Sequence, residues 1–211
     1  MKFNNAYDGI RKIYTAGILT LIGAVVLLAS AILALILDKS ANISTDLIGI
    51  ILIALGLFGS VILLVIAYII NIIGVRKAAL DENGFKAALL FIMAGIVLAI
   101  LSGVFNSENS PAADGIFTIL RDVNELAVIA FIIQGVRNLA DRKNNGSVSR
   151  DGQKLLLTAL ICYALTLIAH VIGFFPLLSE HIITAVTAAL SLIVTILYLN
   201  YLKKALKMLE R

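Results

Sequence analysis

Six apolar segments follow one another along this chain of 211 residues. A helix of about 20 apolar residues, rising about 1.5 Å per residue, spans the hydrocarbon core of a bilayer. Apolar residues make up 61% of the chain, and a soluble protein of this size could not cover six such helices. The sequence therefore predicts an all-α integral membrane protein with six transmembrane helices. The segments are 12–37, 47–73, 86–105, 116–136, 155–175 and 182–201.

The basic residues indicate how these helices are oriented. The N-terminus, the second and fourth loops and the C-terminal tail hold 15 of the 17 lysines and arginines, and only Lys39 and Arg121 fall on the other side. Loops rich in Lys and Arg stay in the cytoplasm. We therefore expect both termini to be cytoplasmic, in a bacterial cytoplasmic membrane.

The chain resembles three copies of one helical hairpin, about residues 8–80, 83–141 and 151–208, within a single transmembrane domain, 1–211. An Asx-Gly pair opens each copy, and such pairs suit a turn that leads into a helix. The alternative is that any cytoplasmic loop collects Asx, Gly and Lys. The start segments are Asp8-Gly9, Asn83-Gly84 and Asp151-Gly152, and the end segments are 74–78, 135–139 and 201–205.

Three charged residues, Arg121, Asp122 and Glu125, lie inside the fourth apolar segment. The apolar run that follows, 126–133, is too short to span a bilayer, so a spanning helix has to include the charges. At about 100° per residue they share with Thr118 and Asn124 one polar face about 160° wide. Ionisable residues at membrane depth are costly and by default mark a functional site.

The last two helices carry polar stripes, whereas the first three carry regularly spaced small residues that are typical of close helix packing. His170 ends a stripe of polar residues four apart on the fifth helix, and the sixth helix has a row of hydroxyls. The structural alternative is that Ser and Thr join helices or bond to their own backbone carbonyls. The predicted ligand-binding residues are Arg121, Asp122, Glu125, His170, Thr118, Thr187 and Ser191.

Of the three hairpins, only the middle one carries charges at these positions. The positions equivalent to Arg121, Asp122 and Glu125 are Ser60, Val61 and Leu64 in the first copy, and Thr187, Ala188 and Ser191 in the third. A purely structural requirement would recur in every copy. The exception therefore favours a function acquired by the middle hairpin.

Two acids and one base leave a formal charge of −1 on the polar face, which favours a cation, an amine or a proton. We therefore expect a small transporter or solute-binding membrane component, with a cleft that opens to the outside. Three alternatives stay open. In the first, residues 111–125 form an interfacial helix outside the bilayer. In the second, Arg121 and Glu125 form an inert ion pair. In the third, the protein is a non-transporting structural, assembly or stress-related membrane protein.

Other classes of function lack sequence support. No nucleophile motif, multi-histidine motif or phosphate-binding glycine loop is present, so we expect neither an enzyme nor a cofactor. Asp122, Glu125 and His170 are acceptable metal ligands by type, but they follow no spacing motif, and no metal site is predicted. Aromatic residues that would stack nucleic-acid bases are not interleaved with the basic ones. The expected partners are the lipid bilayer, a small cationic solute or proton, and a second copy or another membrane protein.

Overall fold

The computed structural model describes residues 3–37, 43–105, 111–173 and 180–210, and the regular secondary structure in these ranges is α-helical. All of these helices except α4 are long and apolar enough to cross a membrane. This indicates an integral membrane protein, as the sequence predicts. The helices are α1 (Asn4–Leu37), α2 (Ile43–Ala78), α3 (Asn83–Phe105), α4 (Pro111–Arg142), α5 (Gly146–Gly173) and α6 (Glu180–Glu210).

Large apolar side chains cover the outer faces of these helices. Leu90 and Val104 on α3 are each 71% exposed, and Phe58 on α2 is 69% exposed. Proteins that live in water rarely expose contiguous apolar patches of this kind. Lipid acyl chains solvate such side chains well, so the exposed apolar surface fits a membrane environment.

The helices extend beyond their apolar segments, and this changes the role of the Asx-Gly pairs. Asp8-Gly9 lies inside α1 and Asp151-Gly152 lies inside α5, so the prediction that these pairs form turns is wrong. Only Asn83-Gly84 stands at the beginning of a helix. No glycine in the described ranges has a positive φ angle. These glycines are therefore required for close packing and not for an unusual backbone conformation.

In each hairpin the glycine of the start segment packs against the end segment. A Cβ atom on Gly84 would lie 2.8 Å from the Cα of Gly135, which is closer than side chains approach backbone. The two helices of the hairpin therefore meet at their backbones, where no larger residue fits. The contacts are Gly9 with Gly74 and Ala78, Gly84 with Gly135, and Gly152 with Tyr201.

A salt bridge accompanies this packing in the first and third hairpins. Lys77 pairs with Asp8 and Lys204 pairs with Asp151, in both cases with 2.6 Å between Nζ and the carboxylate oxygen. The second hairpin has asparagine at both equivalent positions. The aligned pair of positions thus carries an acid and a lysine in the first and third hairpins and two neutral asparagines in the second.

A buried carboxylate, that of Glu82, holds the beginning of α3 against the end of α4. Its side chain is 3% exposed and lies 2.6 Å from the Arg142 guanidinium. It also accepts hydrogen bonds from Asn138 Nδ2 at 2.9 Å and from the Gly84 amide at 3.4 Å. These contacts tie the beginning of α3 to the end of α4, close to the contact between the two glycines.

The chain divides into two compact units. Within the second unit, α1 and α2 pack through small residues, with Gly23 beside Leu64 and Gly56 beside Ser30. Within the first unit, α4 packs along α3 and α5, α5 packs along α6, and α4 also touches α6. Helix α4 therefore has protein on several sides. The first unit is Met1–Arg11 with Gly74–Arg211, and the second is Lys12–Ile73.

The glycine contact in the second hairpin predicts a position-dependent effect of alanine. We expect Gly84→Ala to lower the free energy of unfolding by about 1–3 kcal/mol, because the new methyl group meets the backbone of Gly135. Gly103→Ala, on the same helix with open space around it, should be neutral or stabilise by up to about 1 kcal/mol. Unfolding in mixed detergent micelles measures both, and equal effects would contradict the close contact.

Candidate ligand-binding cleft

A cleft with a volume of about 370 Å³ lies among α4, α5 and α6. Each helix contributes polar side chains to it, and most of its apolar lining comes from α6. The lining residues are Arg121, Asp122 and Glu125 from α4, Cys162, Tyr163, Thr166 and His170 from α5, and Thr187, Ala188, Leu190, Ser191 and Val194 from α6.

The structure brings six of the seven sequence-predicted residues to this cleft. Thr118 is the exception, because it lies one turn before Arg121, half-buried and outside the lining. The charged face of α4 is thus placed against the polar stripes of α5 and α6, although these helices lie apart in the sequence. That the six residues bind a ligand stays a prediction.

The charges lie near the middle of a single helix. Helix α4 runs without a break for 32 residues, so it is about 48 Å long. Glu125 lies about 21 Å from its first residue, Pro111, and about 26 Å from its last, Arg142. The alternative of a separate interfacial helix over 111–125 is therefore not observed, since the charged and apolar parts of α4 form one continuous element.

Asp122 and His170 join α4 to α5 at the cleft. The Oδ2 atom of Asp122 lies 3.3 Å from the Nδ1 atom of His170. Both atoms are buried, and neither has a hydrogen-bond partner in the part of the chain that the structure describes. A buried polar atom without a partner is costly, so each of these two groups depends on the other.

Glu125 is the carboxylate that stays open to the cleft. The hydroxyl of Tyr163 is within hydrogen-bonding reach of it, and Tyr163 itself is 8% exposed. Glu125 and Arg121 both keep exposed surface. Within the described ranges Arg121 forms no ion pair with either acid, so the inert Arg121–Glu125 pair is not observed. The acid that pairs with another helix is Asp122.

Asn124 does not face the cleft, although it lies on the same side of α4 in the helical projection. A Cβ atom on Gly95 of α3 would lie 2.7 Å from the Asn124 amide nitrogen. The amide therefore fits against α3 where α3 has no side chain. This contact helps to set the rotation of α4, which directs Asp122 and Glu125 toward α5 and α6.

An apolar core adjoins the polar cleft. Ala159, Cys162, Tyr163 and Val194 form a buried cluster, against which Leu126, Ile129 and Leu190 pack. One to two turns further along α4, Ile132, Ile133 and Val136 are at most 1% exposed. The polar lining is thus followed by close-packed apolar side chains toward the C-terminal end of α4.

Some hydroxyls of the two stripes bond to their own helix. Thr166 donates to the carbonyl oxygen of Cys162 at 3.1 Å, and Thr195 donates to that of Ser191 at 2.8 Å. This is the local bonding that Ser and Thr often make inside helices. For part of the stripes, therefore, the structural alternative holds, while Thr166 and Ser191 still line the cleft.

Tyr163 is not among the residues predicted from the sequence. This residue follows Cys162 by one position, which turns it about 100° away from the stripe of residues spaced four apart. A search for one periodic stripe therefore passes over it. The sequence feature that could have identified Tyr163 is its position next to the stripe, on a helix with few other aromatic residues.

No protein-family model, curated protein or solved structure matches this chain. Within the described ranges, no group of three or more His, Cys, Asp or Glu side chains is placed to hold a metal ion. The function of the chain therefore has to be inferred from the geometry and charge of the cleft itself.

The Asp122–His170 contact predicts energetic coupling between α4 and α5. In a double-mutant cycle of Asp122→Asn and His170→Gln, we expect the two effects on unfolding to interact by about 1 kcal/mol. The control cycle pairs Asp122→Asn with Thr158→Ala, about 18 Å along α5 from His170, and should show less than about 0.5 kcal/mol. Coupling in the first cycle no larger than in the control would show that the contact contributes nothing.

Proposed function

We propose that this protein binds a small cationic or protonatable solute in the cleft among α4, α5 and α6, as a transporter or as the binding component of one. The observation that carries this proposal is Glu125, a carboxylate open to a polar cleft near the middle of a long helix. Carboxylates at membrane depth are expensive and typically mark the path of a substrate, an ion or a proton. We propose a binding role and no catalytic one.

We infer that α4 also spans the membrane, which brings the number of spanning helices to six. It is long enough to cross a bilayer at any ordinary tilt, and it packs along α3 and α5, both of which are apolar enough to span. Six spans place both termini on one side of the membrane. The distribution of Lys and Arg assigns that side to the cytoplasm, in a bacterial cytoplasmic membrane.

The charges of the cleft support a cationic ligand. Asp122 is already paired with His170, so Glu125 is the carboxylate available to balance an incoming positive charge. Arg121, with its exposed guanidinium, offsets one of the two acids when no ligand is present. Arg121, Asp122 and Glu125 together give the lining a formal charge of −1, which a monocation brings to zero.

The size and polarity of the cleft support a small ligand. Binding pockets of proteins typically enclose about 300–1,000 Å³, and a volume of about 370 Å³ lies near the lower limit. Thr187 and Ser191 lie on the opposite helix from Glu125 and can bond to the polar groups of an amine. Transport would also require the apolar side chains beyond the cleft to separate, because they block a path for the solute toward the C-terminal end of α4.

We also infer that the three hairpins are copies of one ancestral unit. The glycine contact recurs in all three, and the acid–lysine pair recurs in two of them at equivalent positions. The aligned positions of α4 and α6 moreover line the same cleft, with Thr187 and Ser191 equivalent to Arg121 and Glu125. The cleft would then lie between related faces of the second and third hairpins.

A structural or assembly role is the second candidate function. It is favoured by the hydroxyls that bond to their own helices and by the close glycine packing, since both stabilise a compact bundle. In this case the charged cleft would receive a side chain of a second copy or of another membrane protein. The two candidates differ in whether loss of the Glu125 charge changes solute uptake or association.

Uptake of a small amine tests the proposal. We expect proteoliposomes that contain the protein to accumulate labelled methylammonium, the probe, faster than empty liposomes. Glu125→Gln should reduce the uptake at least about tenfold, because an amide no longer balances the positive charge. Glu210→Gln, the same change at an exposed position on α6 away from the cleft, should leave uptake unaltered.

Two results would overturn this proposal. One is equal uptake by wild type and Glu125→Gln when both are folded, as judged by gel filtration and thermal unfolding. The other is no uptake above empty liposomes and no binding of the probe, together with a change of oligomeric state in Glu125→Gln. That second outcome would favour the assembly role.

A further inference from the structure

A second cavity, of about 730 Å³, lies where the turn between α4 and α5 meets the last turns of α6. Four basic side chains line it, Arg142, Lys143, Lys204 and Lys207, against one acidic side chain, Asp151. The basic residues come from the end of α4, the turn that follows it and α6, all in the first unit. The excess of positive charge distinguishes this cavity from the mixed lining of the cleft.

The turn at this cavity has a defined backbone conformation. Asn144 has a φ of 53°, and its amide donates to the carbonyl of Asp141 at 3.0 Å. The amide of Asn145 donates to the carbonyl of Ala140 at 2.8 Å, which completes a Schellman motif at the end of α4. The side chain of Asn145 then caps α5 by accepting from the Val148 amide at 3.2 Å.

Two of the four basic residues are already balanced by acids. Lys204 pairs with Asp151, and Arg142 pairs with the buried Glu82, each at 2.6 Å. These pairs hold the wall of the cavity in place. They also mean that its uncompensated positive charge has to come from the two remaining lysines.

Lys143 and Lys207 have no acidic partner among the described residues. The Nζ atom of Lys143 donates to two backbone carbonyl oxygens at the end of α6, at 3.2 and 3.4 Å, and neither acceptor is a carboxylate. Lys207 is exposed. Two unbalanced ammonium groups, one in the turn between α4 and α5 and one on α6, therefore line one cavity.

The beginning of α5 adds to this positive potential. The helix starts at Gly146, beside Ser147 in the cavity lining, and the partial positive charge of a helix N-terminus favours a nearby anion. The cavity also lies at the end of the helices where basic residues are concentrated. In a membrane protein this end faces the layer of lipid headgroups.

We propose that this cavity binds a phosphate-bearing anion, with Lys143 and Lys207 as the groups that balance its charge. Two sources share this chemistry, the headgroup of an anionic phospholipid and a soluble phosphate ester. Lysine binds phosphate as a compact positive charge with several donors. The inference concerns a site separate from the cleft and does not depend on the function proposed for it.

Native mass spectrometry of the full chain in detergent tests this site. The probes are dioleoylphosphatidylglycerol, dioleoylphosphatidylcholine and glycerol 3-phosphate. We expect wild type to bind phosphatidylglycerol more strongly than phosphatidylcholine and to bind it less at high salt. Lys207→Gln should weaken this binding about fivefold and Lys143→Gln/Lys207→Gln about 25-fold, because each basic residue contributes a similar factor.

The control is Lys203→Gln, which removes the same charge one turn away on α6, at an exposed residue outside the cavity. It should change binding by less than about twofold.

Lys207 makes no polar contact with other described residues, so the test holds even if the double variant does not fold. Equal effects of Lys203→Gln and Lys207→Gln, or equal binding of the two lipids, would overturn the proposal. Binding of glycerol 3-phosphate by wild type, lost in Lys207→Gln, would assign the site to a soluble ester. If neither phosphatidylglycerol nor glycerol 3-phosphate binds, no such site exists.

Discussion

A charged helix can lie in a lipid bilayer only where other helices or water cover its charges, and α4, which we propose to span the membrane, has such surroundings. Helix α3 receives Asn124 at Gly95, whereas α5 and α6 face Asp122 and Glu125. The remaining helices can turn large apolar side chains outward. The polar residues of α5 and α6 thus lie where the charges of α4 require them.

Close contacts at glycines near one end of the hairpins hold these helices in register. Gly84 meets Gly135, and Gly152 meets Tyr201, at the end where basic residues are concentrated. The cleft begins at Glu125, about 15 Å from Gly135 along α4. Close packing at one end therefore coexists with a cleft along the other half of the same helices. A binding site that had to open and close would benefit from this division, because the packed end can stay fixed.

Much of this arrangement follows from sequence patterns within single helices. The lengths of the apolar segments predicted the helices, and the spacing of Arg121 and Glu125 predicted one charged face on the fourth of them. The ends of the helices were not predictable from hydropathy, because polar residues such as those of 146–154 continue a helix past its apolar part. The Asp122–His170 pair and the position of Tyr163 depend on how α4 and α5 are rotated against each other. The spacing of residues within one helix does not determine how that helix is rotated against its neighbour.

The proposed binding of a solute requires that water reach the polar cleft among α4, α5 and α6, and cysteine labelling tests this most directly. In a Cys162→Ala background, Ser191→Cys would be compared with Leu192→Cys, whose position is 47% exposed but lies outside the cleft. The reagent is a membrane-impermeant, positively charged methanethiosulfonate, which reacts with thiols in water. A water-filled cleft predicts rapid modification of Ser191→Cys, no modification of Leu192→Cys, and slower modification of Ser191→Cys in the presence of methylammonium. Protection of both positions from the reagent would contradict the cleft.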